Sequence, residues 1–262
     1  MDLARKNIKP IYSNTYKHKR KINWKKWLWI LLIIVVIGSG ITGWHLWHVH
    51  QAQTLRQYPI RGISVSQQDG FVDFEGVKKA GMSFAYLRTT SGTTYFDDNF
   101  SANYDRIQGA DLKIGVYLMF SFSKSAKDQA KYFEEKVGYK VGNLPIAIQV
   151  AYYGDYANNP PNKAKQGKKL QELTRNLANY YATPCVIWTT PTISKQMITP
   201  YLSDSRQWLV VKNLAALRKQ KLNAQTEFVQ YSDGADLKVD GQKSSFATSV
   251  FTGKRQTWQE IN

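Results

Sequence analysis

The sequence predicts an α/β protein, a β/α barrel preceded by one transmembrane helix. Three observations predict it. Residues 27–47 form an apolar run without a single Lys, Arg, Asp or Glu. Beyond residue 61, short β-branched runs alternate with helical patterns, which implies a parallel sheet with helices outside it. Apolar residues make up 43% of the chain and aromatic residues 13%, enough to bury a core and exclude wholesale disorder. The single cysteine, Cys185, excludes an intrachain disulfide framework and any multi-cysteine metal site.

The order along the chain is a basic cytoplasmic leader (1–26), the transmembrane helix (27–47), a linker (48–60), the barrel (61–253) and a C-terminal tail (254–262). The formal net charge is +17, and nine of the 36 basic residues fall in the leader against one acid, Asp2. Beside an apolar helix such a cluster is the positive-inside signal and is drawn to anionic lipid headgroups, which accounts for it without nucleic acid. At roughly 1.5 Å per residue the apolar run spans about 30 Å, the thickness of a bilayer's hydrocarbon core. Trp27 and Trp29 at one end and Trp44 and Trp47 at the other suit the two interfaces. A cleaved signal peptide competes, but its apolar region is about 7–15 residues and ends in small residues. Here Ser39-Gly40-Ile41 lies mid-run. The expected location is the cell membrane, single-pass, with the N-terminus cytoplasmic and the C-terminal domain extracellular. Ser39 and Gly43 have a small-x-x-x-small spacing, which is common by chance. His45, His48 and His50 read as interfacial polar residues rather than metal ligands.

In the barrel region the expected strands are Gly62–Val65, Ser83–Leu87, Ile114–Phe120, Pro145–Val150, Cys185–Thr189, Gln207–Val211 and Glu227–Tyr231. The expected helices are Phe74–Ala80, Asn99–Gly109, Ala126–Tyr139, Ala164–Ala182 and Leu214–Lys219. About 200 residues with this alternation suit one barrel. A low-complexity stretch, Asn158–Lys169, reads as an exposed loop entering a helix. Barrel chemistry sits at the C-terminal ends of strands. Those ends supply Ser64, Ser91, Tyr117, Gln149, Ala151, Trp188, Gln230 and Tyr231. Carboxylates are missing, and the aromatics, amides and hydroxyls that remain recognise sugars but are poor proton carriers.

Residues 61–253 resemble glycoside hydrolase family 25, the lysozymes (muramidases) that cut peptidoglycan between N-acetylmuramic acid and N-acetylglucosamine. The resemblance rests on segments in the family's order: Gly62-Ile63-Ser64-Val65-Ser66, Phe84 to Gly92, Tyr95-x-Asp97-x-x-Phe100-x-x-Asn103 and Leu112-x-Ile114-Gly115-x-Tyr117. They continue with Gln129-Ala130-x-Tyr132-Phe133, Leu144 to Ile148, Gln230-Tyr231-Ser232 and Val250-Phe251-x-Gly253. It implies a barrel whose strand ends line a glycan groove, with Tyr117, Trp188, Gln230 and Tyr231 as substrate-binding residues. It also exposes departures. The family's Gly-Ile-Asp-Val-Ser has Ser64 in place of Asp, and Lys-Ala-Thr-Glu-Gly has Ser91 in place of Glu. The catalytic Asp-x-Glu reads Gln149-Val150-Ala151, Tyr-His-Phe reads Tyr117-Leu118-Met119, and a C-terminal Asp aligns with Ala247.

Glycosidic cleavage needs a proton donor and an opposing carboxylate. With Gln149 and Ala151 in those places, the expectation is a lysozyme-like domain that has lost catalysis and binds peptidoglycan strands, anionic wall polymers or an envelope protein, with no cofactor and no metal. One alternative is an active muramidase with a displaced acid, for which Asp155, four residues past Ala151, is the fallback. The other is a structural interaction protein of the envelope. Asp97 reads as scaffold, Asp98 as a helix cap and Asp69-Gly70 as a turn. Cys185 opens an apolar strand and reads as a small buried hydrophobe.

Overall fold

A computed structural model describes residues 24–239 and 241–261. Residues 1–23 of the expected basic leader lie outside them. Helix α1 runs Trp24–Gln57, and every side chain from Trp24 to His50 is exposed. The residues expected as a linker, 48–60, therefore continue the helix to Gln57. The stretch contains no glycine, and its first proline is Pro59, so nothing stops the helix earlier.

The chain divides into two compact units after Val49. In the second, the end of α1 is held by Leu55 and, just beyond it, Tyr58, both packed on a cluster containing Leu209, Val229, Tyr231 and Val250. The elements then follow as β1 (Arg61–Val65), α2 (Phe74–Lys79), β2 (Phe84–Ser91), β3 (Tyr95–Phe96), α3 (Phe100–Ile107), β4 (Lys113–Met119) and α4 (Ala126–Val137). After these come β5 (Ile146–Val150), α5 (Lys163–Tyr181), β6 (Cys185–Thr189), the single turn α6 (Pro191–Ile193), β7 (Arg206–Val210), α7 (Leu214–Lys219), β8 (Thr226–Val239), β9 (Gln242–Phe251) and α8 (Arg255–Glu260). Local chemistry starts the helices: Ser125 accepts from the Asp128 N–H at α4, and Asn162 accepts from the Lys165 N–H at α5. Gly138, at φ 56°, ends α4 in a conformation other residues rarely adopt.

Eight strands close into a barrel in the order β1-β2-β4-β5-β6-β7-β8-β9, and β9 returns to β1. β1 to β8 pair in parallel around the wall, whereas β9 is antiparallel to both of its neighbours; β3 is a short flap on β2. The expected alternation thus lacked the short β3 and one strand of the barrel, β9. Its signal was present in the Asp240-Gly241 pair between two alternating runs, a hairpin dipeptide.

Alternation along each strand separates two apolar layers. Outward residues such as Leu87, Leu118, Ile148 and Ile187 pack beneath the helices. Inward residues fill the barrel: Phe84, Tyr86, Tyr117, Ala147, Trp188, Trp208 and Phe228. Gly115 faces the Tyr86 ring so closely that a Cβ there would overlap it. The base is plugged by Trp258 of α8, whose ring lies 5.5 Å from Phe84 and 5.0 Å from Phe251. Part of the expected tail, 254–262, is therefore a structural stopper, fastened further by the Lys113 ammonium donating to the Ile261 carbonyl.

Candidate functional site: the neutral mouth of the barrel

The parallel register aligns four strand ends in one row: Ser91 pairs with Met119, Met119 with Gln149, and Gln149 with Trp188. On the other side Ser64 pairs with Ala247. Ala151 follows β5 directly and is half-buried, as are Ser91, Gln149 and Ala247. The five positions that the resemblance led us to expect at the family's acids, Ser64, Ser91, Gln149, Ala151 and Ala247, thus lie at or just past the ends of β1, β2 and β5 and on the paired strand β9, and none bears a titratable group.

Beneath the row lies an aromatic and amide floor. Trp188 stacks on Trp208 with centroids 4.1 Å apart and planes 7° from parallel, and Tyr117 meets Trp188 edge-on at 5.0 Å. The Trp188 indole donates to Gln230 Oε1 at 2.9 Å, and Gln230 Nε2 donates to Asp233 Oδ1 at 2.6 Å. This chain fixes the amide's orientation without a choice of flips. Burial pushes the Tyr117 phenol far above its ordinary range, so it stays protonated.

Two expectations change here. Trp188 is only 2% exposed and Tyr117 7%, so they form the floor of the mouth rather than open platforms for a sugar ring. Tyr231 faces the opposite way. Strand alternation puts Gln230 inside and Tyr231 outside, where it packs with Leu209, Val229 and Val250.

Arg88 is the residue that sequence reasoning missed at the mouth. A bulge between Arg88 and Ser91 lets β3 fold back, and the guanidinium lies 4.5 Å from the centre of the Tyr95 ring. Its Nη2 donates to Met119 Sδ at 2.9 Å, a weak acceptor, while its buried Nε has no hydrogen-bond partner among the described residues. Nor has Arg88 an ion pair among them. The buried Ser64 Oγ likewise has no partner there. The signal was available, since Arg88 stands where the family motif carries Lys.

The nearby acids are already engaged. Asp69 Oδ2 accepts from the Ser66 N–H at 2.7 Å and its hydroxyl at 3.1 Å, closing a capping box. Asp97 is buried and accepts from the N–H groups of Gln67 and Asn99 at 2.8 and 3.1 Å; burial raises its carboxyl above the ordinary range despite those bonds and Arg88. Asp155 is exposed on a turn, Gly154–Ala157, whose neighbours Tyr152, Tyr153 and Tyr156 pack on Phe122, a residue of the layer outside the barrel wall. Among the described residues no group of three or more His, Cys, Asp or Glu side chains is arranged to hold a metal.

A closed eight-stranded barrel with polar side chains gathered at its strand ends defines the β/α-barrel class. Residues 63–239 match the model for "Glycosyl hydrolases family 25", and the chain belongs to that family. A family 25 glycosyl hydrolase from Bacillus anthracis superposes with a TM-score of 0.69 at 25% identity, over 78% of this chain and 94% of that one. A bacterial lysozyme from Streptomyces coelicolor shares the fold, with a TM-score of 0.64 at 22% identity, over 77% of this chain and 96% of the other. In sequence, Lysozyme M1 of Streptomyces globisporus is 42% identical over 80 residues, 30% of this chain and 27% of that protein. The autolytic lysozyme of Clostridium acetobutylicum is 24% identical over 185 residues, 68% of this chain and 52% of that protein.

Proposed function

We propose that this chain is a membrane-anchored, extracellular lysozyme-like domain that binds peptidoglycan glycan strands without hydrolysing them. The observation that carries the reading is the row Ser91-Met119-Gln149-Trp188 with Ala151 and Ser64 beside it: a family 25 barrel mouth with a fixed polar floor and no carboxyl group at the aligned positions. Hydrolysis needs two carboxyl groups about 5–9.5 Å apart across the scissile bond. Losing one general acid costs about 10²–10⁴ in rate, and here both places in Gln149-Val150-Ala151 are neutral. Asp69, Asp97 and Asp233 support the reading because each already accepts hydrogen bonds within the protein. The anchor is α1, long and apolar enough to cross a bilayer, with its apolar side chains exposed.

The test is a paired assay on the full chain in neutral detergent, measuring co-sedimentation with purified cell walls and release of soluble muropeptides. Sedimentation without release is the expected result. Release above a heat-denatured control refutes the inactive reading, and its disappearance in Asp155→Asn would identify the displaced acid. Neither sedimentation nor release refutes glycan binding and favours a protein partner.

A further inference from the structure

Beside the loop that follows β4, a surface cavity of about 500 Å³ has lysine as its commonest lining residue. Lys124 comes from the loop and Lys165, Lys168 and Lys169 from α5; Ser123 and Ser125 add hydroxyls, and Glu172 is the one acid in the lining. None of the four lysines forms an ion pair among the described residues. Lys124, Lys165 and Lys168 are exposed, whereas the Lys169 ammonium is drawn inward and donates to the Phe122 carbonyl at 2.7 Å. Burial, and to a lesser extent the charge of Lys165, hold the Lys169 ammonium below the ordinary lysine range.

Helix stability does not explain the cluster. A helix N-terminus favours acids and repels ammonium groups. Yet the first turn of α5 carries Lys163 and Lys165 and no acid. The lining therefore carries four lysines against one acid, a net positive concavity.

We propose that this cavity binds the backbone of an anionic phosphodiester polymer. The three exposed ammonium groups, Lys124 on the loop and Lys165 and Lys168 on α5, come from two separate elements of the lining, so a chain bearing a charge at every repeat can cross the cavity from one to the other. Lysine meets phosphate as a point charge, and the lining lacks the arginine fork suited to bidentate carboxylate recognition. Its only ring, Phe122, is buried, so no platform is offered for stacking nucleic-acid bases. The charges converge on a concavity rather than spreading over a convex face, which suits a strand better than a bilayer surface. The proposal does not depend on glycan binding at the barrel mouth.

The experiment measures binding of fluorescent synthetic poly(glycerol phosphate) to the full chain in neutral detergent. The variant K124Q/K165Q/K168Q removes three exposed charges and leaves the Lys169 to Phe122 bond intact. The comparison variant K212Q/K219Q/K221Q removes the same charge from exposed positions elsewhere. Thermal midpoints of both variants are checked against the parent. The expected result is a loss of about tenfold or more in affinity for the cavity variant and about twofold or less for the comparison, with binding weakened by salt. Equal losses in the two variants, or no loss in the cavity variant, overturn the proposal. Tighter binding to phosphatidylglycerol vesicles than to the polymer, abolished by the cavity variant, overturns it in favour of a lipid headgroup.

Discussion

Replacing Trp208 with alanine tests whether the barrel is solid beneath its mouth. Trp208 is fully buried, stacks on Trp188 at 4.1 Å, packs on Tyr86 at 4.7 Å and donates its indole N–H to Ser249 Oγ at 3.2 Å. Removing a buried tryptophan costs about 3–5 kcal/mol. The parallel stack, worth about 0.5–1.5 kcal/mol beyond burial, places this site toward the upper end. For a domain of roughly 200 residues each kcal/mol shifts the midpoint by about 2–4 °C, so Trp208→Ala should lower Tm by about 6–20 °C. The assay is thermal unfolding of the full chain in neutral detergent, followed by near-ultraviolet circular dichroism. Trp29→Ala, on the exposed surface of α1, serves as the control and should leave the midpoint within about 2 °C. A drop of less than about 3 °C in Trp208→Ala would refute the view that this stack fills the interior. Because Trp208 supports the ring that donates to Gln230, the same variant should also weaken wall sedimentation.

Two further expectations concern buried titratable groups. Burial raises the Glu227 carboxyl above its ordinary range, outweighing its ion pair with Arg206 at 2.9 Å, and its Oε2 has no hydrogen-bond partner among the described residues. A raised carboxyl contributes stability that is fully present below its unfolded value and lost as pH rises through the folded one. The Tm of Glu227→Gln minus that of the parent should therefore increase from pH 4 to pH 7, and a decrease would show that the Arg206 pair dominates. Burial pushes the Cys185 thiol up to about 12. The native chain at pH 8 should resist a thiol-specific disulfide reagent and react only when unfolded; rapid labelling of the native state would contradict the burial of this strand.

The sequence by itself determined the features that depend on local pattern. An uncharged apolar run, alternating strands and capped helices follow from spacing and propensity, so β6 and α7 agree with expectation to the residue. The neutral residues expected at the family's acidic positions were read from the resemblance alone, since a residue's identity needs no coordinates.

Only the tertiary structure decided what depends on closure and register. The Asp240-Gly241 pair signals a hairpin between β8 and β9, but the return of β9 to β1, far from it in sequence, belongs to closure alone. Trp258 reads as a tail residue until the open base of the barrel gives it something to plug. A one-residue step in β8 turns Gln230 into the mouth and Tyr231 away from it, a choice set by pleating and not by composition. Arg88 and the four lysines became meaningful on the same ground. A charge becomes notable when the fold places it in a site without an ion pair, and that is a long-range property.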